Sequence, residues 1–94
     1  MDWKDYQEEV AEFFRSLGFS AETDKRINGV RTMHDVDVLV TSSVSGFDVK
    51  WLVECKAWQK KVNKLHVIGV RQIVFDSGAD RGIILSEAGF QSGA

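Results

Sequence analysis

Proline is absent from this 94-residue chain, and cysteine occurs once, at Cys55. A single cysteine excludes an internal disulfide framework and a cysteine-based zinc site. No apolar run approaches the ~20 residues needed to cross a bilayer. The opening residues Met1-Asp2-Trp3-Lys4-Asp5 lack the basic-then-apolar layout of a secretory signal. The expected compartment is therefore the cytoplasm, with no membrane partner. A strong excess of one charge is missing too: 12 basic against 14 acidic residues give a net charge of −2. Binding to nucleic acid usually leaves a basic footprint, so the total alone names no partner. The signs are unevenly spread, however. Acids crowd the N-terminal end (Asp2, Asp5, Glu8, Glu9, Glu12), while bases gather at Lys25-Arg26, Arg31 and from Lys56 to Lys64.

What is present is ordinary for a globular protein, 44% hydrophobic and 28% charged. A chain of this length buries a little over ~60% of its unfolded surface and supports one core. The expectation is a single domain over residues 1–94.

Tyr6, Val10, Phe13, Phe14 and Leu17 fall at helical spacing, which predicts an amphipathic helix over residues 3–17, stopped by Gly18. A strand is expected over 19–27, ending at the turn dipeptide Asn28-Gly29. Residues 34–40 alternate, with Val36, Val38 and Val40 on one face and Asp35, Asp37 and Leu39 on the other. A turn is expected over 42–46. Residues 49–57 read as a third strand, with Leu52, Glu54 and Lys56 facing one way and Trp51, Val53 and Cys55 the other.

A second helix is expected over 62–76, with two apolar stripes: Val62, Val70, Ile73 and Val74 on one, Leu65, Ile68 and Phe75 on the other. A helix apolar on two sides is expected to be packed on two sides, the second against a further helix or another subunit. Residues 77–80 form a loop and 81–86 a fourth strand. Another helix would begin near the last residues, so the domain is expected to lack a C-terminal helix. Short turns make strands one to three an antiparallel meander. The helix before strand four implies a right-handed crossover and a parallel pair. The fold class is α/β, a four-stranded mixed sheet flanked by helices.

Glu54 and Lys56 share one face of an otherwise apolar strand, so both heads meet at one place. Pairing with the 34–40 strand brings Asp37 beside Glu54. Hard oxygen ligands of this kind suit Mg2+ or Mn2+, which bind through one or two carboxylates, waters and a substrate phosphate. Asp37 and Glu54 are the candidate metal ligands, with the main-chain carbonyl of Cys55 as a further one. Lys56 is the candidate for stabilising developing negative charge or orienting the attacking water. The Cys55 side chain reads as a small core residue. The alternative for Glu54 and Lys56 is a plain same-face ion pair.

Taken together with the segments around them, these residues resemble a known pattern. Asp37 followed by Glu54-Cys55-Lys56 is similar to the D…(D/E)xK signature of restriction-endonuclease-like nucleases. The likeness runs through Tyr6 to Phe14, Leu17-Gly18-Phe19 and His34-Asp35-Val36-Asp37-Val38. It continues through Val53 to Trp58, Arg81 to Ser86 and Gly89-Phe90. More narrowly the chain resembles the Mrr-type catalytic domain and the related archaeal Holliday junction resolvases. The resemblance implies an α-β-β-β-α-β core and a Mg2+-dependent endodeoxyribonuclease, with junction resolution or a non-catalytic DNA-binding module as alternatives. DNA is the implied partner, with a homodimer and a separate recognition domain as further expectations.

Members of this family often carry a glutamate on the first helix. Gln7 stands there instead, which puts a second metal in doubt; Glu9 is the other flanking candidate. Asp35 is a candidate supporting carboxylate or a solvated strand residue, and His34 reads as a strand-start residue. Gln72 is expected either to support the site or an interface, by family analogy, or to pack in the core. Lys60, Lys61 and Lys64 follow the active strand and are candidates for contacting the DNA backbone. By the same likeness, so are Ser86 and Gln91.

Overall fold

The computed structural model describes residues 3–44, 46–56 and 63–86. In chain order they form α1 (Trp3–Ser16), β1 (Ser20–Asn28), β2 (Met33–Val44), β3 (Phe47–Lys56), α2 (Lys64–Ser77) and β4 (Arg81–Ser86). The sheet runs β1-β2-β3-β4, antiparallel except for the parallel β3–β4 pair. Helix α1 covers one face and α2 the other, the expected α/β architecture.

Each element ends for a local reason. Helix α1 gives way at Gly18, whose φ of 97° suits a residue without a Cβ. Arg15 fastens that end: its guanidinium donates to the Ala21 carbonyl and pairs with Glu8 and Glu12. Helix α2 starts two residues later than expected because Asn63 caps it; Val62 lies outside the described residues. Gly78, left-handed at φ 73°, donates its N–H to the Val74 carbonyl and closes α2.

The expected turn over 42–46 is corrected to a tighter reversal. Ser42 and Ser43 pair with Val49 and Asp48, and Val44 pairs with Phe47. A serine-rich segment has turn composition, but cross-strand partners were available, and the ladder ran on.

Two apolar clusters fill the layers. Val10, Ala11 and Phe14 of α1 pack on Ala21, Val38, Val40, Val53 and Cys55. Leu39, Leu52, Ile27 and Val36 pack beneath Ile73 and Val74 of α2. Burying side chains of this size stabilises by roughly 1.5–3 kcal/mol each. Val36 departs from the expected alternation, joining Leu39 rather than Val38 and Val40. The cause lies next door. Asp24, opposite Asp37, adopts φ 49°, the two are missing from the partner pairs on either side, and the β2–β3 register stops at Val38–Val53. The strand changes faces at Asp37.

One stripe of α2 packs on the sheet, and the other lies exposed among the described residues. Leu65 and Phe75 are 75% and 83% exposed, and Ile68 is exposed with them. Ile68 and Phe75 lie on the outer side of the helix, while Leu65 also borders the cleft over Glu54 and Lys56.

The far end of the sheet is tied to α2 by Asp76. Its carboxylate accepts the Arg31 backbone N–H at 2.9 Å and meets His34 Nε2 at 2.7 Å. The His34 contact, ahead of the opposing effect of burial, holds the Asp76 carboxyl below its ordinary range. A Cβ on Gly29 would come within 2.1 Å of this carboxylate, so the β1–β2 turn needs glycine there.

Gly82 on β4 lets α2 approach just as closely. A Cβ there would sit 2.7 Å from Val70 Cγ1 and 2.8 Å from Val74 Cγ2, on side chains that have little rotameric freedom. Overpacking of this kind costs roughly 1–3 kcal/mol. Gly82→Ala is therefore expected to lower the thermal midpoint by roughly 10 °C, read by calorimetry. An unchanged midpoint would mean that α2 shifts freely over β4.

Candidate active site

Where β2 changes faces, a carboxylate takes over the work of the ladder. Asp37 Oδ2 accepts the Cys55 backbone N–H at 2.8 Å, and its Oδ1 accepts Gln7 Nε2 at 3.1 Å. Gln7 is 1% exposed. A buried amide with no partner would cost about 1–3 kcal/mol, so this contact fixes both side chains. Asp37 thus joins α1, β2 and β3 in one knot.

Glu54 enters from β3. Its carboxyl shares a hydrogen bond with Asp37; burial first, then that bond and the Asp37 charge, push it up to about 8 against the opposing pull of Lys56. Lys56 Nζ lies 3.9 Å from Glu54 Oε2, and both side chains are largely buried. Cys55 points into the α1 core, where burial and the two carboxylates push its thiol up to about 12. It stays a protonated core residue.

Glu54 and Lys56 open into a cleft of about 310 Å³, lined also by Asp35 and by Leu65, His66, Gly69, Val70 and Ile73. Among the described residues, no three His, Cys, Asp or Glu side chains gather as a metal-ligand cluster. The oxygen donors brought together are the carboxyls of Asp37 and Glu54. That suits a hard cation such as Mg2+, which keeps much of its water and takes one or two carboxylates. Two acids forced together, one of them held from ionising at neutral pH, fit the same need for a cation.

The other expected residues scatter. Asp35 stands at the cleft mouth, 88% exposed and 3.9 Å from Arg26 Nε. Glu9 is exposed beside Tyr6, Phe13 and Leu85, away from Asp37. Gln72 is exposed with Ile68, Arg71 and Phe75 on the outer side of α2. It lies neither in the core nor in the cleft, since two residues beyond buried Val70 is about 200° around a helix. Lys64 is exposed in the first turn of α2, and Ser86 pairs with Lys56 at the end of β4. Trp58, Lys60, Lys61 and Gln91 lie outside the described residues.

His66 escaped the sequence reading. Its signal was Asn63 three residues earlier, the spacing of a capping box with histidine in the usual place of glutamate or glutamine. A helix start placed at residue 62 concealed it.

A family model described as a restriction endonuclease, of the Mrr catalytic type, matches residues 1–94. The uncharacterised protein y4cE of Sinorhizobium fredii (strain NBRC 101917 / NGR234) is 32% identical over 97 residues, covering 100% of this chain. The chain spans 24% of that relative's length. The crystal structure of AF1548, a protein of unknown function, superposes with a TM-score of 0.80 at 17% identity. The match covers 97% of this chain and 50% of that one, a likeness of fold.

Proposed function

Because this chain belongs to the restriction endonuclease family, in its Mrr-type catalytic branch, we propose that it hydrolyses phosphodiester bonds in DNA with the help of Mg2+ or Mn2+. The observation that carries this reading is the abutment of the Asp37 and Glu54 carboxyls, with Lys56 beside them at the cleft. Asp37, Glu54 and the Cys55 carbonyl would hold the cation. When bound, a divalent ion neutralises phosphate charge and makes water a better nucleophile.

The chain's own residues supply the rest. Gln7 keeps Asp37 oriented through its amide, and the Cys55 N–H fixes the second carboxylate oxygen. Lys56, its own side chain largely buried, presents its ammonium to the charge that builds on the phosphoryl oxygens. Leu65, Val70 and Ile73 form the apolar part of the cleft on the α2 side.

The test uses supercoiled plasmid and a four-way junction, each with Mg2+, Mn2+ or EDTA, beside a Lys56→Ala variant. The expected result is cation-dependent nicking that falls by at least ~10²-fold in the variant. Preference for the junction would make the substrate branched DNA. Absence of cleavage of both substrates by folded protein would overturn the proposal.

A further inference from the structure

Two guanidiniums and an exposed aromatic ring gather on the outer side of α2. Ile68, Gln72 and Phe75 lie there at helical spacing with Arg71 beside them, and Arg31 joins them from the turn between β1 and β2. The five residues line an open groove of about 370 Å³, within the ~300–1,000 Å³ of small-ligand sites. Arg31 is set in place by Asp76, which accepts its backbone N–H at 2.9 Å and lies 3.5 Å from its Nε. The Arg31 side chain is nevertheless 77% exposed. Arg71 is exposed too and has no ion-pair partner among the described residues.

The lining indicates what would cover it. Its charged members are both positive, so an anion fits. A second copy of this chain fits poorly, because a two-fold interface sets a patch against itself. Arginines would then face arginines, and like charges across an interface are costly. Phosphate alone would leave Phe75 and Ile68 uncovered, whereas a nucleotide brings a flat base along with its phosphate. The bases of a duplex are already stacked on one another, so an unpaired base is the one able to stack on Phe75. Leu65, three residues before Ile68, also borders the cleft over Glu54 and Lys56, which makes cleft and groove neighbours along α2. We infer that the groove binds an unpaired nucleotide of a DNA strand, its base stacked on Phe75 and its phosphate held by Arg31 and Arg71. That the strand is DNA rests on the nuclease reading, to which the groove adds a substrate with a single-stranded segment.

The test separates base from phosphate. Affinity for a short labelled oligothymidylate is measured by anisotropy in EDTA, which stops cation-dependent cleavage, beside an abasic strand of equal length. The variants are Phe75→Leu and Arg71→Gln, both at exposed positions, where substitution leaves stability nearly unchanged. Phe75→Leu stays apolar but loses the ring face. It is expected to bind oligothymidylate at least about fivefold more weakly than wild type, and the abasic strand equally well. Arg71→Gln is expected to weaken binding of both strands. It should also flatten the dependence of log affinity on log salt by about 0.7, the share of one phosphate contact on a single strand.

No binding of oligothymidylate by wild type, or a Phe75→Leu loss of the same size on the abasic strand, overturns the inference. So does a dimer, seen by sedimentation, that Phe75→Leu dissociates while strand affinity stays unchanged; the groove would then be an interface between copies. Ring-dependent strand binding by a protein that cleaves neither plasmid nor junction keeps the groove and removes the nuclease reading. Cleavage with unaltered strand affinity in both variants keeps the nuclease reading and removes the groove.

Discussion

Glu54→Gln is expected to abolish cleavage and, in EDTA at pH 8, to melt higher than the wild type. Both results come from one carboxyl group. Loss of a cation ligand removes several kcal/mol of charge stabilisation, or at least ~10³-fold in rate. The stability effect follows from protonation. In the unfolded chain Glu54 ionises near its ordinary 4.5, whereas in the folded metal-free protein it does so at about 8. Below pH 4.5 both states hold the proton and the folded protein keeps its full stability. As pH rises toward 8, the unfolded chain has already released a proton that the folded site retains, so stability falls. The loss amounts to a few kcal/mol, because each tenfold difference in acidity between the two states is worth about 1.4 kcal/mol. Glutamine has no proton to lose and can donate its amide to Asp37. Melting curves between pH 5 and 8 in EDTA should slope downward for wild type and lie flatter for Glu54→Gln. Added Mn2+ should flatten the wild-type curve. Parallel curves for the two proteins would mean that the acids do not oppose each other.

The second large effect is expected at Gln7. The resemblance to Mrr-type domains implies a glutamate on the first helix, and Gln7→Glu would place a third carboxylate where the amide now donates to Asp37 at 3.1 Å. The site is sealed beneath α1, with Gln7 buried. An uncompensated buried charge costs roughly 3–5 kcal/mol, so in EDTA the variant should melt more than ~10 °C below wild type. A bound divalent ion stabilises the folded state by mass action, and three acids attract it more than two. The rise in melting temperature on adding Mn2+ should therefore be larger in Gln7→Glu than in wild type. A variant that melts like wild type without metal would show that Gln7 is not packed against Asp37.

The elements were legible wherever one residue type repeated with one period. Val36, Val38 and Val40 marked β2, and Leu52, Glu54 and Lys56 marked one face of β3. The acids and the lysine could be placed because strand alternation is a local property. The rest depended on partners distant in sequence. Ser42 and Ser43 looked like a turn until Val49 and Asp48 paired with them. Val36 changed sides because Asp24 and Asp37 interrupt the ladder together, and no periodicity carries that. Nothing near residue 7 announces its contact with residue 37. Asp76 read as the end of a helix, although its carboxylate organises the turn after β1. His66 was legible in principle, through Asn63, and was missed because β-branched residues blurred the helix start.

One bond in this site has a spectroscopic meaning. The Cys55 amide hydrogen points at a carboxylate oxygen of Asp37 instead of a neighbouring strand's carbonyl. Its magnetic shielding therefore depends on the electron density of that oxygen, which changes whenever a proton or cation arrives at the paired acids. A single backbone resonance, one residue from the end of β3 and away from solvent, thus reports the electrical state of the site. The protein carries that probe without any label.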